Sequence, residues 1–215
     1  MFITLAGIEG SGKTTQIKKI ADYLESRKQP YILTREPGGT EIGKKIRAIL
    51  LDPESKGLSS KAELLLYAAD RAHHIESVIT PALASGKFVI CDRFMDCTTA
   101  FQGYGRGIDI ALIEKIHDIV LEGLKPDITF LLDIDPEAGL TRAISGLTSG
   151  ERCVKESRFE QESLNFHKRV REGYISLAEK EPSRFFIIDA SMCMDAVAGK
   201  ITEIIENIGS FRIGD

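Results

Sequence analysis

Residues 7 to 15 read Gly7-Ile8-Glu9-Gly10-Ser11-Gly12-Lys13-Thr14-Thr15. The pattern is G-x-x-x-x-G-K-T, and its setting matters as much as its letters. Before it lies Phe2-Ile3-Thr4-Leu5-Ala6, a short apolar strand; after it, Thr15 to Lys28 carries Ile17, Ile20, Ala21 and Leu24 at helical spacing. Strand, glycine turn and helix together make a phosphate cradle. The glycines let backbone N–H groups converge on anionic oxygens, and the helix N-terminus adds partial positive charge. Lys13 is placed to reach the β- and γ-phosphates of a nucleotide, and the Thr14 hydroxyl to ligate Mg²⁺. The competing reading of the string alone is a chance glycine turn. Glu9 stands out as a carboxylate inside an anion-binding loop. It cannot point at phosphate without repulsion, so it is expected to face something else.

The 215 residues suffice for one α/β domain with a sizeable core. A net charge of −4 gives no reason to expect binding to nucleic acid or to an acidic membrane. No apolar run approaches the ~18 residues of a membrane span. The first residues enter a strand at once, so no signal peptide is expected. Cys91, Cys97, Cys153 and Cys193 form no C-x-x-C pair, which argues against zinc and suits reduced thiols in a cytoplasmic protein.

Five apolar runs are predicted as strands of a doubly wound parallel sheet with flanking helices: Ile3–Ala6, Tyr31–Thr34, Phe88–Cys91, Ile128–Asp133 and Phe185–Ile188. They are near-continuously apolar, as strands covered on both faces are. Between them, Glu41–Leu51 places Ile42, Ile46, Ile49 and Leu50 on one helical face. Ser60-x-x-Glu63 reads as a capping box opening a helix toward His74, and Pro81 as a kink or break beyond it. Asp135-Pro136 reads as the N-cap and first residue of a further helix, and Phe159–Glu181 and Asp195–Ile208 complete the set. No linker divides the chain, so a single domain over residues 1–215 is expected. The polar stretch Ile144–Ser157, with Gly146 and Gly150, reads either as an ordinary surface loop or as a lid over a phosphate site. Arg142, Arg152, Lys155 and Arg158 cluster around it and favour the lid.

In such a sheet the ligand crevice lies beyond the carboxyl ends of the strands. The second strand leads into Arg35-Glu36-Pro37-Gly38-Gly39-Thr40, and the third into Asp92-Arg93-Phe94-Met95-Asp96. Asp92, at the end of an apolar strand, is a Walker-B-like carboxylate suited to Mg²⁺, and Arg93 beside it is suited to clamp a phosphoryl group. Tyr67 and Arg71 stand four apart and share a helix face. They suit a planar heterocycle, by stacking and by hydrogen bonds to an exocyclic oxygen; from spacing alone a surface arginine packed along a tyrosine is the commoner arrangement. There is no N-K-x-D guanine reader, and no D-x-x-G after a strand, which weakens a regulatory GTPase reading.

These strings resemble the thymidylate kinase (dTMP kinase) family of bacterial type, which belongs among the P-loop kinases. The likeness rests on Gly7–Thr15, Thr34–Thr40, Leu65-Leu66-Tyr67-Ala68-Ala69-Asp70-Arg71-Ala72, Asp92–Asp96 with Ala100-Phe101-Gln102-Gly103, Arg158-Phe159-Glu160 and Phe166–Arg171. It covers essentially the whole chain in order. It implies phosphoryl transfer from ATP to dTMP in a cytoplasmic homodimer that uses Mg²⁺. By the same resemblance, the loop residues Gly7, Ile8, Glu9, Gly10, Ser11, Gly12, Lys13, Thr14 and Thr15 hold ATP, with Arg142 and Ala190 near the adenine. Glu9, Glu36, Pro37, Arg47, Tyr67, Arg71, Arg93, Thr98, Phe101 and Gln102 hold dTMP. Within that set Tyr67 stacks on the base, Arg71 reaches a carbonyl, Thr98 and Gln102 read the base edge, and Phe101 crowds the 2′ position. Lys13, Arg93, Glu9 and a lid cation, Arg152, act in catalysis, and Thr14 and Asp92 hold the metal. The chain departs from the family's habit at Tyr67 (commonly Phe), Cys97 (commonly Ser) and Phe101 (commonly Tyr), and its lid is longer and less basic. Kinases acting on dUMP, dCMP or deoxythymidine, and a non-catalytic nucleotide-binding regulator, are the alternatives.

Overall fold

The computed structural model describes residues 1–150 and 153–209. Strand β1 (Phe2–Ala6) runs into the glycine loop and helix α1 (Lys13–Ser26). Strand β2 (Tyr31–Arg35), helix α2 (Glu41–Leu51) and helix α3 (Ser60–His74) follow. A π-helical turn (Ile75–Ile79) joins α3 to α4 (Thr80–Ala84), and β3 (Phe88–Asp92) comes next. Helix α5 (Met95–Thr98) continues into a second π-helical segment (Thr99–Gly105), then α6 (Ile110–Leu121) and β4 (Ile128–Asp133). Helices α7 (Pro136–Thr148) and α8 (Leu164–Lys180), strand β5 (Phe185–Asp189) and helix α9 (Met194–Gly209) complete the order.

The five strands form one parallel sheet in the order β2-β3-β1-β4-β5. Helices cover both faces. On one side Phe2, Val89 and Cys91 meet Ile79, Ala82, Phe94, Met95 and Leu121. On the other, Ile3, Leu5 and Ile90 belong to a larger cluster with Ile17, Ile20 and Leu24 of α1 and Ile201 and Ile205 of α9. Such alternation follows from the two-residue period of a strand. All five expected strands are present, three of them one residue longer at the carboxyl end. The expectation of burial on both faces fails for the two edge strands, β2 with Leu33 46% exposed and β5 with Ile187 50% exposed.

Five further expectations need correction. Ser59, not Ser60, caps α3: its hydroxyl accepts from the Ala62 N–H, and Glu63 turns inward to other partners. Pro81 does not break the chain's helical course. The π turn upstream shifts the hydrogen-bond register, and Pro81 then sits in the first turn of α4, where its missing N–H costs little. Helix α7 runs on to Thr148, so the first part of the expected lid is helical. Helix α8 starts at Leu164 rather than Phe159, capped by the Ser163 hydroxyl. On α2, Ile42 and Ile49 are exposed while Leu50 is fully buried, so the expected apolar face is split between solvent and core. Asp135 and Pro136 cap and open α7 as expected. No helix among the described residues is long and apolar enough to cross a membrane.

Candidate active site

The phosphate loop keeps its shape by close packing. Gly10 has φ 72°, and a Cβ there would lie 2.0 Å from the Gly139 carbonyl oxygen of α7, so only glycine fits. The Lys13 ammonium curls over the loop and donates to the Gly7 and Ile8 carbonyls and to Ser11 Oγ, at 3.0, 2.8 and 3.2 Å. Burial and the nearby Arg93 charge pull its pKa down to about 8. Thr14 beside it is exposed.

Directly after β3, Arg93 takes a left-handed backbone with φ 69° while its N–H donates to the Leu5 carbonyl of β1. An arginine in that region of backbone space is strained, and strain of this kind gathers at functional sites. The turn swings the guanidinium across the sheet end to Glu9 Oε1 at 2.7 Å, with a weaker bond to the Gly7 carbonyl. The same guanidinium lies 5.0 Å over the Phe101 ring. The loop carboxylate therefore faces a cation. Burial alone pushes the Glu9 carboxyl up, but Arg93, the His167 ring and Lys13 outweigh it and hold the pKa at about 2. Its Oε2 lies 3.4 Å from His167 Nδ1.

A cavity of about 700 Å³ opens where β1, β2 and β3 end. The loop forms one wall through Glu9, Gly10, Gly12, Lys13, Thr14 and Thr15, joined by Asp92 and Arg93. Glu36, Pro37, Arg47, Tyr67 and Arg71 form a second, and Thr98, Phe101 and Gln102 a third. Arg142 and Cys153 lie on the lid side. Most residues expected from the sequence thus converge on one space. Gly7, Ile8 and Ser11 act through the loop's own hydrogen bonds, and Ala190 gives its carbonyl to Arg142 at 3.0 Å. Arg152 lies outside the described residues.

Arg71 is no surface residue. It is 2% exposed, and its Nε donates to Glu36 Oε2 at 2.8 Å and its Nη2 to Thr98 Oγ1 at 2.9 Å. Its Nη1 lies 3.5 Å from His117 Nε2. Burial, then Arg71 and Lys125, hold the His117 pKa down at about 3, so the ring is neutral at ordinary pH. Glu36 is shared with His74, whose Nδ1 lies 2.9 Å from Oε1. Burial and Glu63 raise the Tyr67 hydroxyl pKa, which leaves the ring an uncharged aromatic wall.

The lid side differs from expectation. Arg158 does not belong to it: its guanidinium is buried between the Leu50 carbonyl and Glu63 Oε2. Instead an acidic residue reaches in, as Glu156 takes Arg47 through two hydrogen bonds of 3.0 and 2.8 Å. Lys155 is exposed. Sequence reading passed over Glu63, His117 and His167. The signal for Glu63 was present: Glu63, Tyr67 and Arg71 recur every four residues and share an inward stripe of α3.

Asp92 Oδ1 is buried with no hydrogen-bond partner among the described residues, and it sits in the wall that carries Thr14. A hard divalent cation suits that pair. No cluster of three or more His, Cys, Asp or Glu residues able to hold a metal occurs among the described residues. Further ligands to such an ion then have to come from nucleotide oxygens and water, as is usual for Mg²⁺.

The chain is similar to known proteins over nearly its whole length. A family model described as thymidylate kinase matches residues 5–201. The thymidylate kinase of Desulforapulum autotrophicum is 56% identical over 214 residues, covering 100% of this chain and 92% of its own length. That of Desulfosudis oleivorans is 49% identical, with 97% of each chain covered. The crystal structure of thymidylate kinase from Ehrlichia chaffeensis superposes with a TM-score of 0.76 at 37% identity, covering 96% of this chain and 98% of that one. Likeness of this extent, in sequence and in fold alike, places the chain in the thymidylate kinase family.

Proposed function

We propose that this chain transfers the γ-phosphoryl group of ATP to dTMP, giving ADP and dTDP, as one kinase domain over residues 1–215 with a lid at about 142–158. One observation carries the reading. A phosphate loop and a buried, donor-rich pocket for a planar base share a single cavity, with Arg93 between them. ATP lies along Gly7–Thr15, with Arg142 and Ala190 toward its base. The acceptor nucleotide lies against Glu36, Pro37, Arg47, Tyr67, Arg71, Thr98, Phe101 and Gln102.

An oxygen of the dTMP phosphate attacks the γ-phosphorus as the bond to the ADP oxygen breaks. The acceptor phosphate is already largely ionised at neutral pH, so no strong general base is required. Catalysis is positioning plus charge neutralisation. Lys13 stabilises the phosphate oxygens as charge moves toward the leaving group. Arg93 bridges donor and acceptor phosphates, and Glu9 aims it. Thr14 and Asp92 would hold Mg²⁺, which would neutralise phosphate charge when bound with ATP. Arg152 is the proposed lid cation, and lid closure excludes water.

We further propose a homodimer. Ile42 and Ile49 of α2, Leu65 of α3, and Leu112 and Ile119 of α6 are large exposed apolar residues on helices that pack in sequence, α2 on α3 and α3 on α6. Ile119 is 75% exposed. The outer faces of these helices are proposed as the interface; light scattering at the monomer mass overturns it. A cytoplasmic location fits the four free cysteines.

The test is ADP release measured over a panel of acceptors. Release that depends on dTMP and is weak with dCMP, AMP and deoxythymidine is expected. Equal release with dCMP or AMP overturns the thymine reading, and no acceptor-dependent release favours a nucleotide-binding regulator. Arg71→Ala is expected to raise the KM for dTMP at least about tenfold while leaving that for ATP nearly unchanged, as loss of a charged hydrogen-bond donor implies.

A further inference from the structure

Glu63 on α3 is 1% exposed, and nothing in the proposed chemistry uses it. It is a hub. Its Oε1 accepts from Gln102 Nε2 at 2.8 Å, and both oxygens take Arg106 at 3.3 Å, with Arg158 on Oε2. An ion-paired carboxylate only accepts hydrogen bonds, whereas a glutamine amide has a donor end and an acceptor end. Gln102 must therefore turn its NH₂ toward Glu63. The flipped amide would set its Oε1 against the Glu63 oxygen, acceptor to acceptor, inside a buried site. With Nε2 committed to Glu63, the other end of the amide, Gln102 Oε1, is the end left to meet a ligand in the cavity that Gln102 lines.

We infer that Glu63 is a specificity-determining positioning residue, which locks the Gln102 amide so that an acceptor oxygen faces the base. The inference rests on the reading of Arg71 and Gln102 as the wall that meets the acceptor's base. Arg71 offers only donors. Donor beside acceptor complements a base edge with a carbonyl beside an N–H, as in the 4-oxo pyrimidines. A 4-aminopyrimidine presents the reverse at both positions, an amino donor beside a bare ring nitrogen. A site with fixed polar groups rejects such a mismatch strongly, because its buried partners are left unpaired.

Glu63→Gln tests this, since an amide at position 63 can either donate or accept and no longer dictates which way Gln102 faces. The readout is the ratio of kcat/KM for dTMP over dCMP, which is independent of the fraction of protein that is folded. Removing the charged acceptor is expected to lower that ratio about 10- to 100-fold, with the KM for ATP unchanged. Glu63→Asp, which keeps the carboxylate, is expected to retain most of the discrimination; an equal loss in both variants means disturbed packing and overturns the inference. Gln102→Leu separates the two readings. If it lowers the ratio and Glu63→Gln does not, Glu63 is not the orienting group; if neither does, the base wall itself is misassigned. Where Glu63→Gln yields no folded enzyme, the side-chain NH₂ resonance of Gln102, identified by its loss in Gln102→Leu, serves instead. Slow solvent exchange of that NH₂ is expected in the unmodified protein, and exchange as fast as a surface glutamine's overturns the inference.

Discussion

His117 stands behind Arg71, and the stability of the fold should report its protonation state. In the folded chain its pKa is held at about 3, while the unfolded chain has the ordinary value of 6.5. The folded state thus binds fewer protons between those values, and stability falls as pH falls through the window. At pH 5 the unfolded imidazole is 1.5 units below its pKa, which at about 1.36 kcal/mol per unit favours unfolding by about 2 kcal/mol. At pH 7 the same contribution is only about 0.2 kcal/mol. His117→Gln removes the titration and keeps an acceptor near Arg71. Thermal unfolding of both proteins at pH 7, 6 and 5 is the assay. For a chain of this length about 2 kcal/mol corresponds to about 4–8 °C in Tm. The unmodified protein should therefore lose that much more than His117→Gln between pH 7 and pH 5. Parallel profiles would refute the claim that burial and Arg71 keep this ring neutral.

Other consequences are as direct. Lys13 must be charged to serve the phosphates, and its pKa of about 8 in the free protein means that charge is lost as pH rises through that value. The kcat/KM for ATP should then fall about tenfold per pH unit above it, and a flat profile to pH 9.5 contradicts the assignment. Gly10→Ala forces a Cβ to within 2.0 Å of the Gly139 carbonyl. It should cost at least about 2 kcal/mol of stability and weaken ATP binding, and an unchanged Tm with unchanged KM for ATP would show that the loop yields easily. Cys153 and Cys193 are exposed while Cys91 and Cys97 are buried. Two thiols should react at once with a thiol reagent and two only after denaturation; four rapid thiols would contradict the packing around β3 and α5.

Most of the fold was legible because its signals are local. Apolar β-branched runs, the glycine loop and the Asp135-Pro136 cap are each read within a few residues, and each appears where expected. The elements that were misread depend on distant partners. Glu63 looks like half of a capping box until Gln102, Arg106 and Arg158 come from elsewhere to meet it. Arg158 looks like a lid cation until Glu63 and Leu50 bury it. The two π-helical segments have no sequence period of their own, and the one at Thr99–Gly105 passes close to α8 because Gly105 leaves no Cβ to meet Phe166. Arg71 and Tyr67 were recognised as a pair, but only the surrounding Glu36, Thr98 and His117 turn a common surface motif into a buried one.

The strand order has a consequence for how this chain is made. Strand β1 occupies the middle of the sheet, yet Phe2 pairs with Val89 and Ile3 with Ile128. A ribosome adding ~5–20 residues per second releases β1 several seconds before either neighbour exists. Throughout that interval a strand whose five residues are all buried in the finished fold has both edges open, and closing loops of that length is slow. The segment that ends in the phosphate loop is therefore the stretch of the nascent chain most in need of a holding chaperone, and the nucleotide site is among the last features to form.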